Sequence, residues 1–188
     1  GVGRVAAPDC VRPLADAWLV SHCMGILDGD VKTAELADAF GWAEPPRAAV
    51  VCAQLVRVGG QWTEECAVTE EELHDQLLRP AYSQLSELLE TPAFAGVSTV
   101  MRGRPCVWAG EGRGFFAAEH VAFDGGDALP LPYLCQVPAL LSPFTPLLTA
   151  LGVRDAFASR DFLHANVCFK RDHDDKPLPP PQLEACVR

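Results

Sequence analysis

No stretch of this 188-residue chain approaches the ~18 consecutive apolar residues that a membrane-spanning helix needs, and no basic opening followed by an apolar core marks a secretory leader. Positive charge is scarce as well: 15 Lys and Arg against 25 Asp and Glu leave a formal charge of −10. Such a balance excludes ordinary nucleic-acid binding, which basic residues drive by displacing counterions, and it disfavours anionic membranes. Close cysteine pairs are also missing. Cys10, Cys23, Cys52, Cys66, Cys106, Cys135, Cys168 and Cys186 are scattered, with no C-x₂-C step to aim two thiolates at one zinc ion. A disulfide framework needs an oxidising compartment and usually a shorter, loop-rich chain. Apolar settings such as Val51-Cys52-Ala53 and Asn166-Val167-Cys168-Phe169 predict buried free thiols instead, and so a reducing compartment.

What is present is globular: 49% of residues are hydrophobic and 21% charged, which excludes wholesale disorder. The length suits one ordinary domain or two small ones. The chain opens on Gly and closes soon after what reads as a helix start, so we expect a piece of something larger. From about Pro8 to Met24, Val11, Leu14, Trp18, Leu19 and Cys23 recur at helical spacing. Thr33 is placed to cap a short helix ending near Phe40, with Gly41 beyond it. Pro45-Pro46 pre-sets a third helix, carrying Val50, Val51, Gln54, Leu55 and Val58 as far as Gly59-Gly60. Thr69-Glu70-Glu71-Glu72 reads as a capping box with acidic residues in the positive first turn. That helix should run to about Glu90, kinked or split at Pro80, and end at Thr91-Pro92.

The texture changes at Ser98. Arg104 to Ala109 is a β-prone run, Gly110-Glu111-Gly112-Arg113-Gly114 turns the chain, and Phe115-Phe116 returns it as a β-hairpin. Glu119 to Phe123 reads as a helical turn. Pro130, Pro132, Pro138, Pro143 and Pro146 then forbid a regular helix until Ser142 caps a short one ending at Leu151-Gly152, with Arg154 favoured near its carbonyl end. Ser159 caps a segment carrying Phe162, Leu163, Val167 and Phe169, before a polar Arg171–Lys176 loop and a last start at Pro179-Pro180-Pro181.

Each chemically suggestive cluster has a plainer reading. The Gly110–Gly114 turn lacks the Lys-Ser/Thr of a phosphate loop and is followed by a strand, so no helix dipole would hold a phosphate. Neighbouring His22 and Cys23 point to different helix faces and make no dyad, although a Cys/His pair among His22, His74, His120, His164 and His173 would meet only in the fold. Arg171-Asp172-His173-Asp174-Asp175 lacks the alternation and turning glycine of a hard-cation loop and reads as solvated. Glu70–Glu72 are helix-start charges. Trp108, Phe115 and Phe116 read as aromatics covered by adjacent helices, with alternation turning one of the two phenylalanines away from the hairpin's buried side. No catalytic, cofactor-binding or metal-ligating residue is assigned on these grounds.

The run Cys106 to Phe115, followed by His120-Val121-Ala122-Phe123, resembles the tryptophan-centred strand, glycine turn and Val-Ala motif of the sacsin repeats. The continuation is similar as well: Leu131-Pro132-Tyr133-Leu134, Val137-Pro138, Leu147 to Leu151 running into Gly152-Val153-Arg154-Asp155-Ala156-Phe157, then Asp161-Phe162-Leu163. Upstream, Phe40-Gly41-Trp42 with Pro45-Pro46 and Gln54-Leu55 looks like another family element. Lys176-Pro177-Leu178 with Gln182-Leu183 looks like its closing step. The anchors keep the family's order over roughly residues 36 to 188, while the first 30 residues, Gln61–Ala67 and the cysteine content match nothing in it.

The resemblance implies a segment lying between ATPase-like domains of the ninety-kilodalton heat-shock chaperone type in a large multidomain protein. The magnesium-holding helix and the Asp-x-Gly-x-Gly lid motif of that ATPase fold are missing from the sequence, so no cofactor is expected. The expected fold is mainly α with a small β-hairpin (α+β): a helical half over 1–97 with about four helices, hairpin and turn over 98–128, and a proline-punctuated half with C-terminal helices over 129–188, forming one continuous repeat segment. The expected role is non-catalytic, a cytoplasmic scaffold or interaction region in protein folding and quality control. Its partners would be client proteins, heat-shock chaperones and neighbouring domains of the same chain. Alternatives are a Cys/His-dependent enzyme and an interaction module unrelated to chaperones.

Overall fold

Fourteen residues of unbroken helical hydrogen bonding, Ala48–Gln61 (α3), form the element around which the others pack. The computed structural model describes residues 7–29, 31, 33–63, 68–125, 129 and 132–173. It is a mainly helical α+β fold. The expected N-terminal helix is replaced by short pieces: a 3-10 turn Pro8–Cys10, strand β1 (Val11–Arg12), a second 3-10 turn Leu14–Asp16 and helix α1 (Ala17–Val20). Pro13 explains the break, because its ring drives Arg12 into extended backbone just where helical spacing would continue. Strand β2 (Gly25–Ile26) then pairs parallel to β1, with Val11 opposite Gly25.

Helix α2 (Ala34–Ala39) begins as expected, with the Thr33 hydroxyl accepting the Leu36 N–H at 3.2 Å, and Gly41 leaves it at φ 68°. Helix α3 runs through both glycines that were expected to end it. At Gly59 the missing side chain lets the hairpin backbone approach: a Cβ there would lie 2.0 Å from the Pro105 carbonyl oxygen. Thr69 caps α4 (Glu70–Leu73), its hydroxyl accepting the Glu72 N–H at 3.2 Å. Helix α5 (Arg79–Ser86) continues α4 through a π-helical stretch, His74–Leu78. Pro80 has no N–H to close a normal turn, and the wider turn absorbs that loss without breaking the rod.

A helix that the sequence did not suggest follows, α6 (Phe94–Met101). Its Val97 and Met101 are buried, and it makes its main packing against α3, so tertiary burial overrides a run that holds Gly96 and three β-branched residues. The hairpin forms as expected: β3 (Val107–Trp108) pairs antiparallel with β4 (Phe115–Phe116), Trp108 facing Phe115. The Glu119–Phe123 region is a 3-10 turn Ala118–His120 leading into a strand, β5 (Val121–Asp124), rather than a helical turn. Strand β5 is the centre of a three-stranded parallel sheet with β6 (Cys135–Gln136) and β7 (Arg154–Ala156), in the order β6-β5-β7.

Between β6 and β7, a 3-10 segment Ala139–Phe144 contains Pro143, and α7 (Thr145–Leu151) starts with Pro146 in its first turn. Ser142 does not cap it; its hydroxyl donates to the Ala139 carbonyl at 2.7 Å. Gly152 ends α7 at φ 108°, the left-handed cap that its sequence position called for. Arg154 lies on β7, where its guanidinium pairs with Asp161. Helix α8 (Ser159–His173) takes in Arg171 to His173, which were expected in a loop. The expected Gln61–Ala67 departure falls partly, and the Pro179–Pro181 start wholly, outside the described residues.

The core gathers Leu55, Leu77, Tyr82, Trp108, Leu147 and Leu148, all essentially inaccessible. Edge-to-face contacts order it: Trp108 sits 5.0 Å from Trp62 and 5.2 Å from Phe115, and Tyr82 sits 5.5 Å from Phe144. Among the described residues no helix is long and apolar enough to cross a membrane.

Candidate interaction groove and the cysteine and histidine positions

Two buried polar side chains shape the N-terminal surface. Arg12, only 7% exposed, pairs through Nε with Asp16 Oδ2 at 2.8 Å and donates to the carbonyls of Gly41 (3.1 Å) and Glu44 (2.6 Å). It thereby holds the α2–α3 connection against β1. Gln54 projects from α3 and is 1% exposed; it accepts the His22 N–H at 2.8 Å and donates to the Trp18 carbonyl at 3.0 Å. It fixes the chain that leaves α1. Between these two fastened segments lies an open groove of about 960 Å³, lined among others by Cys10, His22, Met24, Phe40, Trp42 and Glu44.

Phe40 and Trp42 line it with ring centroids 4.8 Å apart, and Phe40 is 39% exposed. A second cleft of about 390 Å³ lies behind His22 and Gln54, between Trp18, Val58, Trp62 and Leu77. Sequence reasoning named Phe40 and Trp42 as family positions without seeing that they border a groove. The signal available was a pair of aromatics around Gly41, a residue that takes a positive φ.

The motif positions are packing positions. Trp108 is 1% exposed and its indole N–H donates to Glu70 Oε1 at 2.9 Å, tying the hairpin to the first turn of α4. Gly114, at φ 81°, lies against Trp62, whose ring would be 2.7 Å from an added Cβ. Phe115 is buried and Phe116 half-buried, as strand alternation and helix cover together require. The Gly110–Gly114 turn closes the hairpin, with the Ala109 N–H reaching the Gly114 carbonyl at 2.8 Å.

Of the described cysteines, Cys52, Cys106 and Cys135 are buried, Cys23 and Cys168 are half-buried, and Cys10 is exposed. Burial pushes the Cys52 and Cys135 thiols up to about 11. Burial, then the nearby Cys52 and Glu119, takes Cys106 to about 12. The Asp9 carboxylate raises Cys10, and burial raises Cys23 against the opposing pull of Arg57. A thiol held protonated is a poor nucleophile at neutral pH. The expectation of burial holds for Cys52, Cys106 and Cys135 and fails for Cys10, Cys23 and Cys168; the last lies on the flank of α8 while its apolar neighbours Phe169 and Ala165 are buried.

His22 Nδ1 lies 3.1 Å from Gln54 Nε2, and His74 contacts Asp75 at 3.1 Å. His164 Nε2 lies 3.7 Å from Cys168 Sγ, a Cys/His meeting for which the sequence spacing H-x₃-C was the available sign. Arg171 pairs with Asp172 at 2.8 Å and Tyr133 donates to Asp172 at 2.7 Å, so this end of the run expected to be a solvated loop is an ion-paired helix end; Asp174 and Asp175 lie outside the described residues. Among the described residues no group of three or more His, Cys, Asp and Glu side chains converges as a metal cage. No family model, curated protein or solved structure matches the chain.

Proposed function

We propose that this chain is a non-catalytic segment of a sacsin-like co-chaperone, serving in the cytoplasm as a scaffold and protein-interaction region in folding and quality control. The observation that carries the reading is the Phe40–Trp42 pair lining the large groove, where Phe40 is the only exposed aromatic ring among the described residues. Accessible aromatics beside a groove are the kind of surface that unfolded client segments and partner chaperones engage. The packing roles of Trp108, Gly114, Phe115 and Gly152 agree with a recurring structural unit, since the residues that carry the family resemblance build the fold. The buried, protonated thiols of Cys52, Cys106 and Cys135 agree with a reducing compartment and with a role in which they serve as packing.

The test is light scattering of a heat-unfolding client with increasing amounts of the purified chain, without nucleotide, beside a Phe40→Glu variant shown by circular dichroism to be folded. Suppression by the parent chain and its loss in the variant is the expected result. A folded parent chain that suppresses nothing would remove client binding from this segment and leave it a spacer.

A further inference from the structure

Helix α8 turns Ala165 and Phe169 inward, each 1% exposed, where Phe169 packs edge-on against Tyr133 at 4.5 Å. Its outer side carries Leu163 and Val167, 66% and 59% exposed, two of the most exposed large apolar side chains among the described residues. Directly beside them, one helical turn apart, stand His164 and Cys168. Their Nε2 to Sγ separation of 3.7 Å, a hydrogen-bond distance for sulfur, lies close to what a shared metal would demand. A tetrahedral ion with zinc-like bonds of ~2.0 Å to nitrogen and ~2.3 Å to sulfur sets those two atoms about 3.5 Å apart. Neighbouring cations do not spoil the site, since Arg171 is paired with Asp172 and Arg160 lies 3.9 Å from Asp161.

Two ligands are half of a structural zinc shell, and no third converges from the described residues. We propose that His164 and Cys168 form one half of a Cys₂His₂ site for a borderline-soft divalent cation of the zinc class, completed by the same pair from a second copy of the chain. The two-fold axis would pass through the metal. Leu163 and Val167 of each copy would then meet beside it, so one contact completes the ligand set and covers the apolar side chains. Each Cys168 thiol gives its proton to the buffer as its sulfur takes the metal, and each His164 binds through the Nε2 lone pair as neutral imidazole. The inference is independent of the chaperone reading, which concerns the groove at the other end of the sequence.

The experiment is zinc titration of the 188-residue chain with metal analysis and sedimentation velocity in reducing buffer, EDTA against zinc, with cobalt as a spectroscopic stand-in. One metal per two chains, a dimer only with zinc, and a tetrahedral cobalt spectrum with thiolate charge transfer are expected. Cys168→Ser should stay monomeric and lose the metal, and His164→Ala should weaken binding by about tenfold or more. Both positions lie on the outer surface of α8, and circular dichroism verifies that the variants fold. One metal per monomeric chain, no metal bound at all, or a Cys168→Ser protein that binds and dimerises like the parent would each overturn the proposal.

Discussion

Adjacent glycines near the end of α3 should respond in opposite directions to the same substitution. At Gly59 an added methyl group would lie 2.0 Å from the Pro105 carbonyl oxygen and 2.9 Å from Phe115 Cβ. Neither neighbour can swing aside, because Pro105 O is backbone and Phe115 is locked in the hairpin opposite Trp108. Relief requires moving β3 and β4 off the helix, which loosens the Trp62–Trp108–Phe115 cluster. Overpacking a core costs ~1–3 kcal/mol, and a backbone collision belongs at the upper end, so we expect Gly59→Ala to destabilise by about 3 kcal/mol. For a chain of this size that is a fall in Tm of about 6–12 °C.

At Gly60 nothing lies within 4 Å, and the residue is helical, so alanine removes unfolded-state freedom at no steric cost. Gly60→Ala should stabilise by about half a kcal/mol, a smaller gain than in a helix interior because the position is in the last turn. Thermal and urea unfolding followed by circular dichroism measure both. A Gly59→Ala protein as stable as the parent would refute the close approach of hairpin to helix, and with it the account of why α3 carries that glycine.

Tyr82→Phe removes the hydroxyl that donates to the Cys106 carbonyl at 2.7 Å inside the core; leaving that acceptor unpaired should cost about 1–2 kcal/mol in urea unfolding. The Cys52, Cys106 and Cys135 thiols, pushed up to about 11, 12 and 11, bind protons more tightly folded than unfolded. Their contribution is fully present below the unfolded value near 9 and is lost as pH rises through 11 to 12. The urea midpoint should therefore fall between pH 9 and 11, and a midpoint rising over that range would contradict their burial. Asp161→Asn should loosen α8 selectively, since Asp161 pairs with Arg154 of β7 and accepts the Ala158 N–H at 2.9 Å. Faster amide exchange in 159–173 with unchanged protection of α3 is the expected pattern, and uniform loss across both helices would count against it.

The local punctuation of this fold was readable from residue types. Thr33 and Thr69 cap where short polar side chains before helical runs should, Gly152 takes the left-handed turn, and Trp108 pairs with Phe115 across a glycine-rich turn. Those features depend on neighbours in sequence. The misses depend on neighbours in space. Strand β5 exists because β6 and β7 flank it, and helix α6 because α3 covers Val97 and Met101. Short apolar runs carry no period long enough to announce either.

The groove behaves likewise: Arg12, Gly41 and Glu44 are unremarkable apart and form its edge only when one guanidinium reaches two carbonyls far along the chain. The pairing of His164 with Cys168 is intermediate, a helical spacing visible in the sequence whose exposure was not. By itself the sequence determined composition, charge, caps, turns and the hairpin, because these follow from bonded neighbours and side-chain chemistry. Only the tertiary structure decided which apolar side chains found cover, since burial is settled by residues that meet across loops.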